Sequence, residues 1–95
     1  MPDALAQTDF EPCLQRTFAI ASGADTVELV LAEVSPLPDS GREGGSFRLE
    51  FHGPSAPVLP QATYAFDLGG DEPCDIFIVP LGPADGRMRY EAIFF

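Results

Sequence analysis

Apolar and polar positions alternate along most of this chain, and Gly and Pro break the alternation into short segments. The first segment, "RTFAIAS" (16–22), sets Phe18 and Ile20 on one side of a strand. After the turn "SGAD" (22–25) comes the longest candidate, "TVELVLAEVS" (26–35). There Val27, Leu29 and Leu31 share one face, and Val30, Ala32 and Val34 share the other. "SFRLEFHG" (46–53) alternates cleanly, with Phe47, Leu49 and Phe51 inward and Arg48, Glu50 and His52 outward. "QATYAFDLG" (61–69) turns Ala62, Tyr64, Phe66 and Leu68 inward. "CDIFIVPL" (74–81) is almost wholly apolar, so it reads as a central strand covered on both faces, with Pro80 ending its pairing. "RMRYEAIFF" (87–95) closes the pattern with Met88, Tyr90, Ala92 and Phe94 on one side.

The connections carry turn chemistry. Asp85-Gly86 within "GPADGR" (82–87) is a hairpin signal. "PSAPVLP" (54–60) has three prolines and is expected to stay out of any ladder. "PLPDSGREGG" (36–45) reads as a long, mobile polar loop. Near the N-terminus, "LAQTDFEPCLQ" fits a short helical turn, with Thr8 as its cap, Glu11 at the third position and Pro12 in the first turn. The predicted fold is all-β: six mostly antiparallel strands in a small barrel or sandwich, preceded by a short N-terminal helical turn. The second apolar set, Val30, Val34, Ile76, Ile78, Ile93 and Phe95, needs cover. Either the N-terminal segment with Leu5, Phe10 and Leu14 lies over it, or another subunit does.

Length and composition narrow the picture. Ninety-five residues make one domain, residues 1–95. Such a chain buries only about 60–65% of its unfolded surface, so one core must serve all of it. Apolar residues make up 45%, and eight of the ten aromatics are Phe, which suffices for that core. Fifteen acidic residues face five Arg and no Lys, for a net charge of −10. That balance argues against nucleic-acid and anionic-membrane partners and leaves an unknown protein partner or self-association. The absence of Lys and Asn beside many Ala, Gly, Pro and Arg suits a GC-rich bacterial genome. The first ten residues lack an apolar run, no segment reaches the ~20 apolar residues of a membrane span, and Cys13 and Cys74 have no metal spacing. A cytoplasmic protein with two free thiols is the expectation, with a Cys13–Cys74 disulfide the alternative.

Candidate chemistry is sparse. His52, the one histidine, falls on an outward face beside Gly53, with no GxSxG element, and reads as a surface histidine near a turn. Asp67, Asp71, Glu72 and Asp75 cluster in "DLGGDEPCD" without the alternating acidic pattern of a calcium loop. "SGREGG" lacks the Lys-Ser/Thr of a phosphate loop. No catalytic, cofactor-binding or metal-ligating residue is assigned, and no cofactor is expected. The chain is read as a non-enzyme.

Several segments taken together carry a resemblance: "LQRTFAI" (14–20), "ELVLAEVSPL" (28–37), "SFRLEFHGP" (46–54), "LPQATY" (59–64), "IFIVPLGP" (76–83) and "YEAIFF" (90–95). The pattern resembles a family of small bacterial proteins carrying a domain of unknown function, and it spans nearly the whole chain from Phe10 on. The resemblance implies no activity. It does imply an association with phage-tail-like collar or fibre proteins. The family's final Phe is usually followed by Asn, whereas this chain ends Phe94-Phe95. The expected function is an interaction or assembly module, accessory to a phage-tail-like or surface protein. The alternative is a small-molecule or glycan-binding β-barrel.

Overall fold

A computed structural model of the chain describes residues 7–37, 46–69 and 73–94. Helix α1 (Gln7–Phe10) runs into a 3₁₀ turn, Glu11–Cys13. Six strands follow: β1 (Thr17–Ser22), β2 (Asp25–Pro36), β3 (Phe47–Pro54), β4 (Ala62–Phe66), β5 (Cys74–Ala84) and β6 (Arg87–Phe94). They form one sheet in the order β1-β2-β3-β6-β5-β4, with every neighbouring pair antiparallel. Two three-stranded meanders are thus joined through β3 and β6, and the sheet curls into a nearly closed barrel.

Alternation builds the interior. Phe18, Ile20, Val27, Leu29, Leu31, Phe47, Leu49, Phe51, Tyr64, Phe66, Met88, Tyr90 and Ala92 are all buried in one cluster, as their period-two spacing predicts. Phe18, Phe51 and Phe66 meet in tilted and edge-on contacts at centroid separations of 5.0–6.2 Å. Phe10, Phe47 and Phe94 form a second group at 4.6–5.7 Å. Aromatic pairs in such geometries add to the burial of their area.

Several details differ from the pattern reading. Val34 does not share the outer face of Val30 and Ala32. A bulge between Leu31 and Glu33 inserts one residue into β2, so Val34 comes opposite Leu49 and packs on the core. Ile76 and Ile78 belong to the core rather than to an outer apolar set. Strand β5 is not covered on both faces: Phe77 is 51% exposed, because a closed sheet has only one inside. Pro80 does not end the pairing. It stands opposite Tyr90, and the ladder resumes after a bulge as far as Ala84. β4 ends opposite Ile78, so at Pro80 the strand has one neighbour only, and proline is tolerated at such edges and bulges. Pro54 likewise joins the ladder, opposite Arg87.

The described part of the N-terminal segment, residues 7–14, does not lie over the outer wall. Phe10 and Cys13 enter the core, while Leu14 is exposed. Thr8 lies within α1 and is not its cap. The hairpin signal holds: Asp85 and Gly86 have φ of 54° and 78°, the left-handed pair a two-residue turn requires. Leu5, Phe95 and most of the 36–45 loop lie outside the described residues.

Gly53 is a mid-strand residue opposite Met88, not part of a turn. A Cβ there would lie 2.6 Å from Leu29 Cδ2 and 3.5 Å from Tyr90 Cε1, so two core side chains occupy its place.

Candidate functional site

The outward positions of β3 and β6 carry a lattice of charges. Glu50 is at its centre and only 8% exposed, although it points away from the core. It accepts from Arg89 Nε at 2.9 Å, from Arg48 Nη2 at 2.8 Å and from the His52 ring Nε2 at 2.8 Å. Arg48 also donates through Nε to Glu91. Glu50 stands directly opposite both Glu33 on β2 and Glu91 on β6. Like charges across a ladder repel, and Arg48, reaching both Glu50 and Glu91, offsets the second contact.

The lattice controls protonation. Hydrogen bonds from Arg89, then from His52 and Arg48, hold the Glu50 carboxyl well below the usual carboxylate range, against the opposing effect of burial. For Arg48, burial pulls the guanidinium down, but its bonds to Glu91 and Glu50 outweigh this and leave it raised. Arg89 is raised chiefly by its bond to Glu50. An ionised Glu50 can only accept, so His52 donates from Nε2. Its Nδ1 then accepts from Arg87 Nη1 at 3.3 Å. His52 is therefore a half-buried member of a network rather than an isolated surface side chain. Two shallow grooves border it, one lined by Gln15, Val30, Ala32, His52, Gly53 and Arg87, the other extending past Glu28 and Pro54.

Both tyrosine hydroxyls are engaged by the loop between β3 and β4. Tyr90 accepts from the Leu59 N–H at 2.9 Å, and Tyr64 donates to the Pro60 carbonyl at 2.7 Å. That explains "LPQATY": Leu59 is buried, Pro60 lends its carbonyl and Tyr64 clamps it. The two cysteines are both free thiols. Cys13 is buried, with Arg16 Nη1 3.8 Å from its Sγ. Burial, followed by Asp9 and Asp75, pushes the Cys74 thiol up, away from thiolate reactivity. Asp67 accepts from the Gly69 N–H at 2.8 Å as a local turn, while Asp71 and Glu72 lie outside the described residues. Among the described residues, no group of three or more His, Cys, Asp and Glu side chains is placed to hold a metal ion. No described helix is long and apolar enough to cross a membrane.

Sequence reasoning placed Arg48, Glu50 and His52 outward but missed the lattice. Its one legible signal was a second outward set, Arg87, Arg89 and Glu91, of complementary charge. The pairing of β3 with β6, which are not consecutive, is what joins the two sets.

These features define the chain as a small, nearly closed antiparallel β-barrel with a filled interior and an ionic outer wall. It belongs to the family described as Domain of unknown function (DUF6916), whose model matches residues 5–94. Comparison with curated proteins gives no match, and neither does comparison with solved structures.

Proposed function

We propose that this domain is a non-catalytic interaction or assembly module, an accessory to a phage-tail-like or surface assembly, working in the cytoplasm. The observation that carries this reading is where the spare apolar surface lies. The outer positions of β5 and β6 hold Phe77, Leu81 and Ile93, exposed by 51%, 39% and 39%, with Val79 half-buried among them. Neighbouring strands thus present apolar side chains to solvent, the usual mark of a partner surface. The resemblance described above supplies the phage-tail-like setting.

A barrel that holds a small molecule or glycan inside is the weaker reading. Five Phe side chains and Tyr90 fill the space between the strands, and both tyrosine hydroxyls are taken by the 55–61 connection. The test is capture of partners from native lysate on the immobilised chain, with light scattering to measure self-association. A defined partner should be retained and then lost with Phe77→Ser, a change on the outer wall that leaves the fold intact. A strict monomer retaining nothing, or retention indifferent to Phe77→Ser, overturns the reading.

A further inference from the structure

Strands β5 and β6 carry the exposed apolar stripe, and their charges are arranged around it. Alternation turns Asp75, Phe77 and Val79 of β5 outward, with Leu81 exposed beyond the bulge, and turns Arg87, Arg89, Glu91 and Ile93 of β6 outward beside them. Val79 stands opposite Glu91 at the middle of this wall. Asp75 lies four residues from Val79 toward one end, and Arg87 lies four residues from Glu91 toward the other. At about 3.3 Å per residue, the two charges sit about 13 Å to either side of the apolar centre.

Neither end charge is neutralised within the described chain. The ion pairs join Arg48, His52 and Arg89 to Glu50, and Arg48 to Glu91; Asp75 and Arg87 take part in none of them. The Arg87 guanidinium donates instead to the accepting Nδ1 of His52, at 3.3 Å. The middle of the wall is different. Glu91 is bonded to Arg48 on β3, on the side away from β5, so no free charge stands beside Val79.

Charge also decides which occupant this wall can take. The chain carries −10 overall, yet β5 and β6 hold two arginines and two carboxylates and are locally neutral. Two copies can approach here without the repulsion that the rest of the surface imposes. The pattern is also self-complementary. A two-fold axis lying in the contact plane and crossing the strands at Val79 sets the Asp75 end of one copy over the Arg87 end of the other, and the reverse. It also sets Phe77, two residues before Val79, over Leu81, two residues after it. An isologous contact requires this reciprocity, in which one residue meets a second and the second meets the first. Sheets packed face to face keep their strand directions within about 30°, so the opposed ends stay within reach of an arginine side chain.

We propose that the outer wall of β5 and β6 is a homodimer interface. Phe77 of one copy packs on Leu81 of the other across a central pair of Val79 side chains, with Ile93 at their side, and Asp75 of each copy pairs with Arg87 of the other. The wall of a barrel is convex, so the copies touch along the stripe and the association is reversible. The proposal rests on the interaction-module reading and specifies its surface and its occupant.

The test is sedimentation equilibrium of the chain from about 1 µM to about 1 mM. A monomer–dimer equilibrium is expected, and Phe77→Ser should abolish it. Asp75→Arg alone sets arginine against arginine at both end contacts, and Arg87→Asp alone sets carboxylate against carboxylate. Each should weaken the dimer about tenfold or more. An equimolar mixture of these two variants should associate to within about threefold of the parent chain, because the mixed dimer has opposite charges at both contacts. Both positions are exposed, and an unchanged amide spectrum of the core strands shows that each variant folds. A chain still monomeric at about 1 mM overturns the proposal. So does a dimer indifferent to Phe77→Ser or to either charge reversal, or single variants that fail to associate on mixing. A monomer that captures a native partner, lost with Phe77→Ser, keeps the interaction reading and removes the dimer.

Discussion

Gly53→Ala tests whether the interior is packed as tightly as the structure shows. On a free strand this substitution would stabilise by roughly 0.5–1 kcal/mol, since glycine loses the most backbone freedom on folding. Here the new Cβ would stand 2.6 Å from Leu29 Cδ2, closer than nonbonded carbons approach. Leu29 is fully buried, so it cannot swing into solvent. The Glu28 carbonyl at 3.4 Å and Tyr90 Cε1 at 3.5 Å close the other sides. Overpacking of this kind costs about 1–3 kcal/mol, and we expect a net loss of about 2 kcal/mol. The domain as a whole has about 5–15 kcal/mol, so the loss is readily measured as a lower urea midpoint at constant slope. A double-mutant cycle identifies the cause. Leu29→Val removes the δ-carbons and should cost about 1 kcal/mol alone. Combined with Gly53→Ala, it should lose about 1.5 kcal/mol instead of the additive 3. A neutral or stabilising Gly53→Ala, or strict additivity, would refute the packing argument.

Further expectations follow from the tyrosines and from Glu50. Tyr90→Phe leaves the Leu59 N–H without its partner and should cost about 1–2 kcal/mol in chemical unfolding, with the spectrum of the folded state retained. Tyr64→Ala removes a buried ring as well as the clamp on Pro60 and should cost on the order of 3 kcal/mol; unchanged stability would mean that Tyr64 does not pack as described. Glu50 has a folded-state affinity for protons far below that of a free carboxyl. The stability it confers is therefore complete above the ordinary carboxylate value of about 4.3 and is lost as pH falls below that value toward the depressed one. Glu50→Gln should destabilise at pH 7, and its deficit relative to the parent chain should shrink as the pH is lowered from 5 toward 3 in thermal unfolding; a deficit constant over that range would remove Glu50 from the acid response.

The charge lattice and the aromatic interior together suggest a division of labour on this barrel. β3 and β6 form a wall in which nearly every charge has a partner. The outward positions of β1 and β4 are small and uncharged, and β5 beside them exposes Phe77. The two surfaces make different demands on a partner, which is why Phe77, and not His52, is the position whose variant tests the interaction reading.

Local physics was strong enough for the elements to be legible from residues alone. Period-two alternation selected the buried faces of β1, β3, β4 and β6, and Asp85-Gly86 marked the final hairpin, because side-chain direction in a strand and left-handed backbone in a tight turn depend on neighbours in sequence. What depended on contacts across the chain was not legible. The bulges after Leu31 and Pro80 change which residues face inward, and an inserted residue leaves no mark on composition. Closure into a barrel left β5 with one covered face where its apolar run suggested two. The pairing of β3 with β6 united two charge sets about forty residues apart into one lattice, and it set the uncharged strands β1 and β4 at the edges of the sheet. Alternation along the chain determined what each strand buries. Which strands became neighbours, and so where charge and the edges of the sheet lie, was decided only when the sheet closed, because both are properties of pairs of strands rather than of any one of them.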